Sequence, residues 1–196
     1  MRFWTLIAFA AALVLPAAPP AAAAEKPVSR DSLLTMLKTG QVWCSGWKDS
    51  DQSCEDIAFI DVLPGNQVRQ VSRYRMSAEP NLEMVVRETV KVEGDALCST
   101  FRFDDLEIIV LLDDQPAPEE QASPILAILA QSMAHLEGKK SCEAYARDDS
   151  TGDLKGHVTL DGEAAPEFDS TYRLIKPDTR ILLRPMFEHE DEATTV

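Results

Sequence analysis

The chain has 196 residues, with 33 acidic and 19 basic side chains and a net charge of −14. That balance excludes the basic footprint that nucleic-acid phosphates need and opposes docking on an anionic membrane surface. It leaves room for a cationic partner, and otherwise it means solubility.

The first stretch, MRFWTLIAFAAALVLPAAPPAAAAEKP, places one cation, Arg2, before an apolar run from Phe3 to Leu15. A Pro/Ala-rich segment then ends in Ala22-Ala23-Ala24. This is the pattern of an export signal with a small-residue cleavage site. The apolar run is shorter than the ~20 residues that span a bilayer. Residues 1–24 therefore read as a signal peptide cleaved after Ala24 rather than an uncleaved anchor. Ala-rich signals of this form suit bacterial export, so the expected location is the periplasm or beyond it. Residues 25–186 read as a single disulfide-linked globular domain, and the acidic residues 187–196 as a flexible tail.

Glu25 to Arg30 reads as a flexible lead. The stretch SRDSLLTMLKTG predicts a short helix, capped by Ser29 or Asp31, with Leu33, Leu34 and Leu37 as its apolar stripe and Gly40 beyond its end. From Gln41 the pattern turns to strands. EDIAFIDVLPGNQVRQVSRYRM holds two β runs joined by a Pro64-Gly65-Asn66 turn. Apolar residues on both faces of the first run predict a central strand. LEMVVRETVKV alternates Leu82, Met84, Val86, Val90 and Val92 with polar residues, and Glu88 interrupts the apolar side. Gly94-Asp95 predicts a hairpin turn. ALCSTFRF and LEIIVLLD follow as the next strands of an antiparallel meander.

SPILAILAQSMAHLEGKK predicts the one long helix, over 124–137. Ser123 is its N-cap, Pro124 its first residue and Gly138 its terminator. Ile125, Leu126, Leu129, Met133 and Leu136 form a stripe that must be buried. SCEAYAR and LKGHVTL predict a hairpin around Asp148–Asp153, and TYRLIK and TRILLRP a last hairpin on Pro177-Asp178. The fold class is α+β: mostly antiparallel meander, barrel or half-barrel, with one packed amphipathic helix and a short N-terminal helix.

Cys44, Cys54, Cys98 and Cys142 are an even set in an exported chain, which implies disulfides. Of the three connectivities, Cys44–Cys54 and Cys98–Cys142 fit best. The first pair flanks a hairpin-like turn, and the second ties two strands. Tight C-x₂₋₄-C pairs with nearby His, as zinc needs, are absent, as is C-x-x-C redox spacing. No metal and no cofactor are expected.

Few residues announce chemistry. His135, His157 and His189 are scattered, and no nucleophile elbow, Walker loop or dinucleotide turn occurs. RDDSTGDLKG offers Asp148, Asp149, Ser150 and Asp153 as calcium ligands, but strands rather than helices flank it, so an Asx-stabilised turn is the better reading. Arg69, Arg73, Arg75, Arg87 and Lys91 form a local cation cluster, with Arg73 and Arg87 as candidate anion-binding residues. Against that, Arg75 should fall opposite Glu83 as a cross-strand ion pair. Trp43 and Cys44 should point to opposite faces of one strand, with Trp47 on the face of Trp43. Trp43 and Trp47, beside the stapled loop Lys48–Ser53, are candidate contact residues for a partner.

The short helix followed by Gly40-Gln41-Val42-Trp43 resembles the opening of the lipocalin family, where a short helix precedes a Gly-X-Trp strand. The spacing here is one residue longer. The resemblance covers only this helix and the first strand. It implies barrel architecture and carries over no functional residue.

The functional expectation is an exported, non-enzymatic binding or interaction protein whose ligand or partner, protein or small molecule, the sequence does not name. Two alternatives stand beside it: an envelope hydrolase with a site assembled only in the fold, and an acidic inhibitor of a cationic exported enzyme.

Overall fold

A computed structural model describes residues 25–186. The expected signal peptide, 1–24, and the expected flexible tail, 187–196, with His189, lie outside the described residues.

In chain order the elements are β1 (Glu25–Pro27), α1 (Arg30–Leu37), β2 (Val42–Ser45), β3 (Ser53–Cys54), β4 (Asp56–Val62), β5 (Gln67–Ser77), β6 (Leu82–Glu93) and β7 (Ala96–Thr100). Then come β8 (Glu107–Leu112), β9 (Gln115–Pro116), α2 (Glu119–Met133), β10 (Lys140–Asp148), β11 (Leu154–Leu160), β12 (Glu163–Ala164), β13 (Ser170–Ile175) and β14 (Leu182–Leu183). Eight of these strands close a ring. Taken in sequence order, β2, β4, β5, β6, β7, β10, β11 and β13 each pair antiparallel with the next, and β13 pairs back onto β2. The result is a closed up-and-down barrel. Eight strands leave an interior just wide enough to be filled by side chains or to hold one small ligand.

Local sequence explains much of this. The β4–β5 hairpin turns on Pro64-Gly65-Asn66, where Gly65 takes φ +76°. Ala58, Ile60 and Val62 point into the barrel, while Phe59 lies outside at 47% exposure. Two disulfides, Cys44–Cys54 and Cys98–Cys142, staple the wall. Cys98 and Cys142 are direct cross-strand partners on β7 and β10. Two such bridges suit an oxidising compartment. Among the described residues no helix is long and apolar enough to cross a membrane.

Helix α1 plugs one end. Ser29 caps it and accepts from the Ser32 N–H, and Leu33 and Leu37, one turn apart, are fully buried. They pack with Val28, Trp43, Val68, Val90, Val92 and Leu154 in the main core. A second cluster surrounds the Cys44–Cys54 bridge, with Ile175, Trp47, Ile57, Ile181 and Leu183.

Several expectations need correction. The lead is not free: Glu25–Pro27 forms β1 on the outer part of β10, because Asp148 to Ala146 present an unpaired edge there. Strand β8 does not follow β7 in the barrel. It pairs with the first half of the long strand β6, residues 82–87, whereas β7 pairs with residues 91–93. The last hairpin does not form either. After β13 the chain crosses to run parallel to β3, where Arg184 donates to the Ser53 carbonyl and the Ser53 hydroxyl.

The long helix starts at Glu119 rather than at Pro124, with Pro118 at its N-cap. Glu119 and Glu120 then occupy the first turn, where carboxylates favour the positive end of the helix dipole. Pro124 is thereby internal and forgoes a backbone bond toward Glu120. Nor is the apolar stripe fully buried. No α2 residue is buried, Ile128 is 69% exposed, and only Leu136 in the following 3₁₀ turn is covered.

Candidate functional site

The inward face of a barrel strand takes every second residue. On β6 that face carries Met84, Val86, Glu88, Val90 and Val92, and on β10 it carries Ser141, Glu143 and Tyr145. Between the α1 plug and α2 the interior opens into a cavity of about 660 Å³. Its apolar lining includes Met84, Val86, Leu97, Ile108, Leu129 and Met133, the last two from α2. Its polar lining includes Gln70, Tyr74, Glu88 and Glu143. Among the described residues no Lys or Arg belongs to this lining.

An aromatic trio sits in the main core beside the cavity-lining Glu143. Trp43, Tyr145 and Tyr172 meet edge to face, with ring centroids 5.3, 5.7 and 6.1 Å apart. The Tyr145 hydroxyl donates to Glu143 Oε2 at 2.7 Å. Glu143 Oε1 is buried and accepts no hydrogen bond among the described residues. Gly156 on β11 makes space for this carboxyl, since a Cβ there would overlap it.

Glu88 stands where β6 leaves β8 and meets β7, so residues 88–90 lack a ladder partner on that side. Burial pushes the carboxyls of Glu88 and Glu143 above their ordinary range. For Glu143 the hydrogen bond from the Tyr145 hydroxyl pulls the other way. Burial also raises Asp56, on the same inward face, which accepts from the Ser45 hydroxyl. Tyr74, Tyr145 and Tyr172 are all raised by burial and remain protonated donors. The interior thus places acids, whose charged form burial disfavours, beside hydroxyls in an apolar shell.

The residues singled out from sequence are dispersed. Trp43 is 3% exposed and belongs to the main core. Trp47 lies on the other side of the wall, in the disulfide cluster, because Gly46 takes φ +56° and ends the strand alternation. Its indole donates to Asp49 at 2.7 Å, and the Arg173 guanidinium lies 5.6 Å over its ring.

Three members of the cation cluster are paired with acids. Arg69 pairs with Asp61 at 2.6 Å and Arg87 with Glu107 at 2.5 Å. Arg73 pairs with Glu83 and reaches Asp114 at 3.2 Å. Arg75 does face Glu83 in register, but the ion pair forms on the diagonal from Arg73. Arg75 instead reaches the Leu183 carbonyl of the crossing C-terminal segment.

The Asp148 carboxylate accepts from Ser150 N–H and hydroxyl, an Asx turn, and Asp153 pairs with Arg173. His157 has Asp169 at 3.0 Å on one ring nitrogen and Glu25 at 3.2 Å on the other, so neither nitrogen faces a nucleophile.

Sequence reasoning missed Glu88 and Glu143 as site residues. A signal existed: each is a carboxylate on a position whose two-residue neighbours are inward facing. Compared with known proteins, the chain matches no family model, no curated protein and no solved structure.

Proposed function

We propose that the protein is a non-enzymatic binding protein of the periplasm, and that its ligand is a small, largely apolar molecule held inside the barrel. The observation that carries this reading is the interior cavity of about 660 Å³, apolar in most of its lining and furnished with a few convergent polar groups. Ligand sites of small molecules have this size and make-up, about 300–1,000 Å³. The methionines Met76, Met84 and Met133 add an adaptable lining. Helix α2 covers the cavity without burying any of its own residues, which suits an element that moves aside for entry.

The test is titration of the oxidised mature protein with N-phenyl-1-naphthylamine, an uncharged apolar fluorophore. We expect saturable one-to-one binding that Val86→Trp, which fills the cavity, weakens at least tenfold. Unsaturable fluorescence, or a Val86→Trp variant that binds like the parent, would overturn the reading.

A further inference from the structure

We propose that the ligand of the cavity carries a protonated amine, seated against Glu88 and Glu143. This rests on the binding reading above and names the chemistry of the head group.

Two carboxyls share one compartment whose lining, among the described residues, has no Lys or Arg. One oxygen of Glu143 is held by Tyr145 while the other, Oε1, is buried without a donor. A buried polar atom left unpaired costs folding free energy, and because Oε1 lies against Gly156 an ammonium in the cavity pairs with this carboxyl by a turn of its side chain. The wall is shaped around this group, because Gly156 leaves space for the carboxyl where any side chain would collide. Glu88 occupies an inward position that alternation otherwise gives to Val86 and Val90.

An anionic head group would meet two acids and no cation. An alkylammonium supplies three donors and the opposite charge.

Binding should be linked to protons. Glu143 is faced by Tyr145 on its own strand, Tyr172 on β13, Tyr74 on β5, Glu88 on β6 and Asp56 on β4. No cation stands among them. Burial raises both carboxyls, and for Glu143 the neighbouring Glu88 and Asp56 add to it, so each holds its proton to a higher pH than an exposed carboxylate does. An entering ammonium pairs with a carboxylate, and the proton of that carboxyl leaves to solvent. The amine keeps its own proton, so one proton is released for each carboxyl that ionises. Affinity therefore rises with pH through the raised carboxyl range.

The experiment is displacement of bound N-phenyl-1-naphthylamine by decylamine, decanol and decanoate, in salt high enough to screen the acidic surface. We expect decylamine to compete at least tenfold better than decanoate. Glu88→Gln should bring that ratio below threefold, and Glu143→Gln provides a second variant should the first fold poorly. Calorimetry of decylamine binding in two buffers of different ionisation enthalpy should report net proton release.

Decanoate or decanol competing as well as decylamine overturns the amine assignment and leaves the cavity reading standing. So does an unchanged preference in both variants. Failure of the fluorophore and of all three competitors to bind overturns both.

Discussion

Tyr145 donates its hydroxyl hydrogen to Glu143 at 2.7 Å from two residues along the same inward face of β10. The bond ties the aromatic trio of the core to a cavity-lining carboxyl, and Tyr145 is the one donor that Glu143 Oε2 has among the described residues. Tyr145→Phe keeps the ring packed on Trp43 and removes only the hydroxyl. The lost bond to a buried carboxyl should cost about 1–3 kcal/mol in urea unfolding. A change below about 0.3 kcal/mol would show that the pair contributes nothing to stability.

Gly156 and Glu143 form a second pair that can be tested together. A Cβ at 156 would overlap the Glu143 carboxyl and come within 3.1 Å of the Tyr172 ring. Gly156→Ala should destabilise by about 1–3 kcal/mol, as overpacking does. In a Glu143→Ala background most of that cost should disappear, so the two substitutions should be non-additive. Additive changes would place the strain elsewhere.

His157 joins β1 to the barrel and predicts a pH dependence. Its pKa lies above the usual 6.5, raised first by Asp169 and then by Glu25. Glu25 is lowered chiefly by Lys155, and Asp169 chiefly by the Val158 N–H. A raised His contributes stability that is full below its unfolded pKa and is lost as pH rises through its folded one. Lowered carboxylates contribute stability above their unfolded pKa and lose it as pH falls through the folded one. The bridge is therefore most effective from the ordinary carboxylate range up to the His157 titration. Its members are largely exposed, so the effect is small. His157→Gln should melt lower than the parent near about pH 5.5 and equal to it near about pH 8.5. The same difference at both values would exclude the charged bridge.

Arg73 and Arg87 differ in what their loss exposes. Glu83, the partner of Arg73, is 7% exposed, whereas Glu107, the partner of Arg87, is open to solvent. Arg73→Gln leaves a buried carboxylate short of its cation and should cost about 1–3 kcal/mol. Arg87→Gln should stay within about 0.5 kcal/mol. Equal losses in denaturant titration would mean that burial of Glu83 does not set the energy of its pair.

The two bridges should also differ. The sequence separations are 10 for Cys44–Cys54 and 44 for Cys98–Cys142. In the loop-entropy model, removing the first costs about 3 kcal/mol and the second about 4. Paired Cys→Ala variants compared by chemical unfolding would read this order. Mass mapping without reductant should recover the Cys44–Cys54 and Cys98–Cys142 peptides.

What the amino-acid sequence determined by itself is local. Period-two alternation marked β4, β5 and β6, and the turns at Pro64-Gly65-Asn66 and Gly94-Asp95 set where they reverse. Ser29 with Leu33 and Leu37 sufficed for α1, because a cap and two residues one turn apart are contiguous features. Glu88 was visible as the break in an apolar face, though not as part of a site.

Only the tertiary structure decided the rest. Closure of β13 on β2, the removal of β8 from the ring and the parallel meeting of β14 with β3 are long-range pairings that neighbouring residues do not encode. Trp47 changed sides through a single positive φ at Gly46. Glu88 and Glu143 face one cavity although 55 positions separate them, because ring closure brings the inward faces of β6 and β10 together around β7. A strand's own sequence sets which residues share a face, and the tilt and register of the closed ring set what that face meets.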